Sequence, residues 1–179
     1  MKNLLSKVSV SPRKRVWFCI FLALTVIVMV VIFCFSSQTA TQSDKLSDSV
    51  RETGKEIVGT VLEKVENKTA NNFIRFLNDA IRKVAHVVLY AALGFTLYGA
   101  AICLDPIKKF WQKAGLVILI GGFYGATDEI HQIFVAGRTS EVLDVFIDML
   151  GVVVGVLFML ICYNFLRLIK NKVQKKRAK

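Results

Sequence analysis

Three stretches of this chain place ionisable side chains inside otherwise apolar sequence. In the first, IRKVAHVVLYAALG, Arg82, His86 and Tyr90 are spaced four apart and share one helical face, with Lys83 beside them. In the second, GGFYGATDEIHQIFVAGR, the shared face carries Gly121, Gly125, Asp128 and Gln132, with Glu129 and His131 adjoining and Arg138 just beyond. In the third, EVLDVFIDMLGVVVG, it carries Asp144, Asp148, Gly151 and Gly155. Arg82, Lys83 and Arg138 are suited to phosphate or carboxylate, while Asp128, Glu129 and Asp144 can accept bonds from hydroxyl or amine groups. His86, Asp128, His131, Asp144 and Asp148 are also types that act in acid–base pairs or hold a divalent metal. No zincin H-E-x-x-H, G-x-S-x-G or Walker A pattern accompanies them. Binding is therefore favoured over catalysis. No cofactor is specified, and a divalent metal is only compatible with the residue types.

These residues need helices to position them. The chain has 179 residues, 54% of them hydrophobic, and a mean hydropathy of +0.52. The apolar residues fall in blocks near the ~20 residues that cross a ~30 Å hydrocarbon core. The pattern predicts an all-α polytopic membrane protein, a bundle of four transmembrane helices with spans at about 16–35, 84–104, 114–136 and 142–165. Residues 1–15 and 166–179 form basic ends, and 36–83 a long outer loop. The first span follows Arg13, Lys14 and Arg15 but is long for a signal peptide and lacks an A-x-A-like cleavage site, so it is expected to be an uncleaved anchor. Asp105-Pro106 stops the second span and Gly137 marks the turn after the third. Trp17 and Trp111 have the placement of interfacial anchors. Cys19, Cys34, Cys103 and Cys162 lie in or at the ends of apolar spans without metal spacing and read as small hydrophobes.

The net charge is +11. Its surplus flanks the spans, which indicates topology and not nucleic acid. Fifteen Lys and Arg fall in residues 1–15, 105–113 and the tail from Arg167; nine fall in residues 36–83 and at Arg138. Both termini are thus expected in the cytoplasm. In the outer loop, Leu46, Val50, Ile57, Val61 and Val65 recur at helical spacing and predict an amphipathic helix. Asn67–Asn72 (NKTANN) reads as a turn. Phe73, Phe76, Leu77 and Ile81 then mark a second amphipathic segment in the outer interface.

At a rise of ~1.5 Å per residue, Asp128 and Asp148 fall about 10 Å and about 9 Å below the outer boundary, and His86 about 3 Å. A central charge costs roughly 2.5–3.5 kcal/mol on insertion scales. Asp128, Glu129, Asp144 and Asp148 should therefore face the bundle interior, which the glycine rows allow the helices to close around. The acids and fixed cations could simply staple the helices. The network is larger than four short helices need, which points instead to an outward-facing polar pocket. A transporter fits less well, since no internal repeat is visible and the charges lie away from the midplane.

Together these segments resemble the VanZ-like family of small bacterial membrane proteins. The resemblance runs through Phe35-Ser36-Ser37-Gln38, Arg82-Lys83 with His86 and Tyr90, Asp128-Glu129-x-His131-Gln132, Gly137-Arg138, Asp144 and Gly151. It covers about residues 16–160. Asp148 departs from it, standing where Asn is common. The resemblance implies a cell-envelope protein linked to resistance against glycopeptides of the lipid-tailed teicoplanin type. Its partners would be membrane lipids and a lipid-linked cell-wall precursor or the lipoglycopeptide itself. An enzyme acting on such a precursor is the alternative. Ser36, Ser37 and Gln38 would either line the pocket or cap the first span. The oligomeric state is left open.

Overall fold

The computed structural model describes residues 11–38, 67–104, 109–135 and 142–177. The amphipathic pattern at 46–65, Asp105-Pro106, Gly137 and Arg138 lie outside the described residues. Four helices occupy the described chain: α1 Pro12–Ser36, α2 Asn67–Cys103, α3 Phe110–Gln132 and α4 Val142–Arg177. They alternate in direction, so the end of α1, the first half of α2, the end of α3 and the start of α4 meet at one pole of the bundle. That pole holds the polar residues.

The fold is all-α, with boundaries that differ in three places from the sequence pattern. First, Asn67–Asn72 is helical and continuous with the span, not a turn. Asn and Thr serve helix starts as well as turns, and no glycine or proline interrupts the chain before Gly94. The segment at 73–81 is accordingly part of α2. Second, α4 runs 36 residues, about 54 Å at the helical rise, so the basic tail continues the helix. Third, α1, Ala80–Cys103 of α2 and α4 are the described helices long and apolar enough to cross a membrane. The 23-residue α3 is long enough but not apolar enough. Lys113 at one end, Asp128, Glu129, His131 and Gln132 at the other, and intervening glycines dilute it. Its polar face turns inward, however: Gly121, Gly125, Asp128 and Gln132 are buried while Leu119 and Phe123 are exposed.

α2 is the central helix and packs most extensively on α4, then on α1 and α3; α1 and α4 do not touch. The α2–α4 contact is backbone against backbone. A Cβ at Gly155 would run into the carbonyl of Ala91, and one at Gly151 would lie 2.7 Å from the carbonyl oxygen of Val87. This is close approach through small residues, the usual means of helix association where lipid removes the hydrophobic drive. Ile32, Tyr90, Leu93, Tyr98, Val117, Val152 and Val156 fill the core. Val26, Val30, Phe123, Leu150, Phe158 and Ile161 face outward. In water such exposure would be an aggregation surface; against acyl chains it carries no such penalty.

Two polar cross-links fix the helix pairs. Tyr124 Oη donates to the carbonyl of Met29 at 2.7 Å, tying α3 to α1. Lys113 Nζ donates to the carbonyls of Ile102 and Leu104 at 3.1 and 2.9 Å. A cation at these carbonyls satisfies acceptors that have no partner within α2 and complements the negative end of its dipole.

Candidate functional site

The polar pole is assembled from all four helices, in two seams. Between α1 and α3, Ser36 is fully buried and its Oγ donates to Asp128 Oδ2 at 2.6 Å. Gln132 Nε2 donates to the same oxygen at 3.1 Å and to Glu129 Oε1 at 3.2 Å. Asp128 and Glu129 are each 4% exposed. Charge-assisted bonds of this kind offset the cost of burying a carboxylate. Ser37 does two things: its Oγ donates to the carbonyl of Phe33 at 2.7 Å and lies 3.1 Å from His131 Nε2. The His131 ring also packs on Phe33, with centroids 4.7 Å apart. Three residues from Asp128 on the same helix, His131 is thus directed toward α1.

Between α2 and α4 the arrangement is more open. Lys83 Nζ lies 3.4 Å from Asp144 Oδ1, and His86 Nδ1 lies 3.5 Å from Asp148 Oδ1. Both separations are too long for strong hydrogen bonds. Asp148 is 1% exposed and Tyr90 is fully buried. Asp144 Oδ1 keeps only its ion pair with Lys83, and Asp148 Oδ2 and Tyr90 Oη have no hydrogen-bond partner. Gly125 borders both groups: a Cβ there would lie 3.5 Å from Asp148 Oδ2 and 3.6 Å from the Tyr90 ring. A buried polar atom left unpaired costs about 1–3 kcal/mol, so two in one spot call for an explanation.

A cleft opens over this second seam. Arg82, Lys83, His86, Glu129, Gln132, Asp144, Ile147 and Asp148 line it, and it measures about 270 Å³ with its mouth included. The interior accepts water-sized groups only, in about 20 Å³; one water needs about 10–15 Å³ on that measure. An ion or water fits inside, and anything larger must sit across the mouth.

The predicted candidates separate accordingly. Arg82, Lys83, His86, Glu129, Gln132, Asp144 and Asp148 meet at the cleft. Asp128 joins the two seams: its ligand atoms and those of His86 and Asp148 lie within 4.8 Å of one another. Tyr90 lies beneath, while Ser36, Ser37 and His131 belong to the α1–α3 seam. Gln38 follows α1, its amide donating to the Phe35 carbonyl at 3.3 Å. The sequence pattern does not single out Ile147 or Tyr124. Tyr124 could have been read from its place four residues before Asp128, on the same face; Ile147 gives no signal beyond ordinary apolarity.

A family model described as VanZ/LLP1 matches residues 21–163, a stretch that includes every described residue of both seams. No curated protein and no solved structure matches the chain.

Proposed function

The chain belongs to the VanZ/LLP1 family, and from that premise we propose that its polar cleft is a binding site at the outer leaflet of the bacterial cell membrane. In this reading all four helices span, both termini are cytoplasmic, and the cleft faces outward. The protein contributes to resistance against teicoplanin-type glycopeptides by binding or altering an outer-leaflet envelope component. Arg82 and Lys83 at the mouth receive a phosphate or carboxylate. Asp128, Glu129 and Asp144 hold the cations in place and accept from hydroxyl or amine groups.

The observation that carries the reading is the unpartnered pair, Asp148 Oδ2 in the wall of a cleft lined by two cations and Tyr90 Oη buried beneath it. A network that merely stapled helices would close its bonds, as the α1–α3 seam does. The small interior argues that the ligand presents a polar group at the mouth and is not swallowed. The second reading is a membrane-embedded enzyme acting on a lipid-linked cell-wall precursor. It is favoured by the approach of His86 to Asp128 and Asp148.

The test is antibiotic susceptibility of a null strain complemented with wild type, Arg82→Ala, Asp128→Ala or Asp148→Asn, with membrane levels matched. Wild type is expected to reverse a sensitivity selective for lipid-tailed glycopeptides, and the variants are not. An unchanged panel across the null and complemented strains would withdraw resistance as the role. Lipid-linked precursor analysis in the same strains would then test the second reading.

A further inference from the structure

We propose that His86, Asp128 and Asp148 bind one first-row divalent cation, zinc being the first to test. This deepens the reading of the cleft as a binding site and rests on it.

Geometry gives the first argument. Ligand bonds of about 2.0–2.2 Å in a tetrahedral zinc site set neighbouring ligand atoms about 3.3–3.6 Å apart. His86 Nδ1 and Asp148 Oδ1 stand 3.5 Å apart, long for a hydrogen bond but right for two ligands of one ion. The third ligand atom, from Asp128, lies within 4.8 Å of both. The three ligands come from α2, α3 and α4.

The second argument is independent of the cluster's shape. Tyr90 is fully buried, and its hydroxyl has no partner beside Asp148. A hydroxyl there can bond to a carboxylate oxygen or to a metal-bound water once an ion draws the group together. Ser36 and Gln132 already bond Asp128 Oδ2. That leaves Oδ1 for the ion, with the outer donors fixing the carboxylate as they do in metal sites generally.

Charge balance gives the third. Among the described residues lining the cleft, Arg82 and Lys83 offset Glu129 and Asp144. Asp148 remains of the lining, with Asp128, outside the lining but within 4.8 Å of it; these are two buried carboxylates beside one imidazole, and a dication neutralises them. One imidazole nitrogen and two carboxylate oxygens suit zinc, manganese or ferrous iron. Three protein ligands leave at least one position open. It faces an interior with room for about one water, below the Arg82–Lys83 mouth.

The experiment uses the full chain in detergent, purified through a tag without histidine, stripped with chelator and titrated with Zn²⁺ or Mn²⁺ alone. Metal content after dialysis and calorimetric titration are the readouts. One equivalent per chain is expected for wild type and for His131→Ala. His86→Ala and Asp148→Asn should lose it, and Ser36→Ala should bind about 10–100-fold more weakly, as loss of an outer support does. Co²⁺ should give visible ligand-field bands that vanish in Asp148→Asn. All variants are first checked for a monodisperse, helical state. Wild type without stoichiometric metal, or His86→Ala and Asp148→Asn binding as well as wild type, overturns the proposal. If susceptibility depends on Arg82 while no metal binds, the metal fails and the envelope site stands. If metal binds and susceptibility never changes, the reverse holds.

Discussion

The two polar seams lie at the same pole and bury the same kind of side chain, yet they end in opposite states. Along α1–α3, Asp128 receives Ser36 and Gln132 and the seam is closed. Along α2–α4, Asp148 is buried just as deeply, touches His86 only at 3.5 Å and keeps an oxygen without a partner. Burial alone therefore does not distinguish a staple from a site. Satisfaction does, because an unpaired group in a low-dielectric interior costs free energy that a ligand can recover. The closed seam holds α1 against α3 and orients Asp128; the open seam is where a ligand would gain most.

Substitutions in each seam test this difference, with stability measured on chelator-treated protein in detergent. The largest effect is expected from Gly155→Val, which removes the frame both seams share. Its Cβ meets the backbone carbonyl of Ala91, which has no rotamer to adopt. The loss should exceed about 3 kcal/mol, above the usual range for overpacking. Size-exclusion profiles in detergent should show little monodisperse protein. Next is Ser36→Ala in the closed seam. Removing a buried donor to a carboxylate should lower stability by about 1.5–3 kcal/mol, read as a lower melting temperature. A melting temperature equal to wild type would mean that this seam is not the staple.

Asp148→Asn in the open seam should behave in the opposite sense. It deletes an incompletely paired buried charge, so stability should rise by roughly 1 kcal/mol, even as metal uptake and complementation are lost. A fall as large as that of Ser36→Ala would erase the distinction between the seams. The smallest effect belongs to Lys83→Ala. Its side chain is 47% exposed and its ion pair with Asp144 spans 3.4 Å. Exposed pairs are worth little, so the change should stay within about 0.5 kcal/mol, while ligand contact at the cleft mouth weakens.

Much of this was legible in the chain. The rows Gly121, Gly125, Asp128, Gln132 and Asp144, Asp148, Gly151, Gly155 follow from helical periodicity alone, and all of these residues are buried except Asp144, which is half-buried. The gathering of acids at one pole followed from their positions near the ends of alternating helices. The helical state of Asn67–Asn72 was not legible, because Asn and Thr are compatible with both a turn and a helix start. The orientation of His131 was not legible either. Sequence puts it beside Asp128, and the rotation of α3 gives it to Phe33 of α1 and to Ser37 just after that helix.

Local sequence is enough to make the chain helical and membrane-bound, to set which residues share each face, and to mark where α2 and α4 can approach closely. These are properties of local period and side-chain size, repeated every three to four residues. Which faces meet is set in the assembled bundle: Ser36 closes on Asp128, His86 comes to Asp148, and Tyr90 is left unpaired beneath the cleft. Those pairings depend on the rotation of each helix about its axis and on its depth against its neighbours. Both are set jointly by contacts between residues far apart in the chain, and no single segment encodes them.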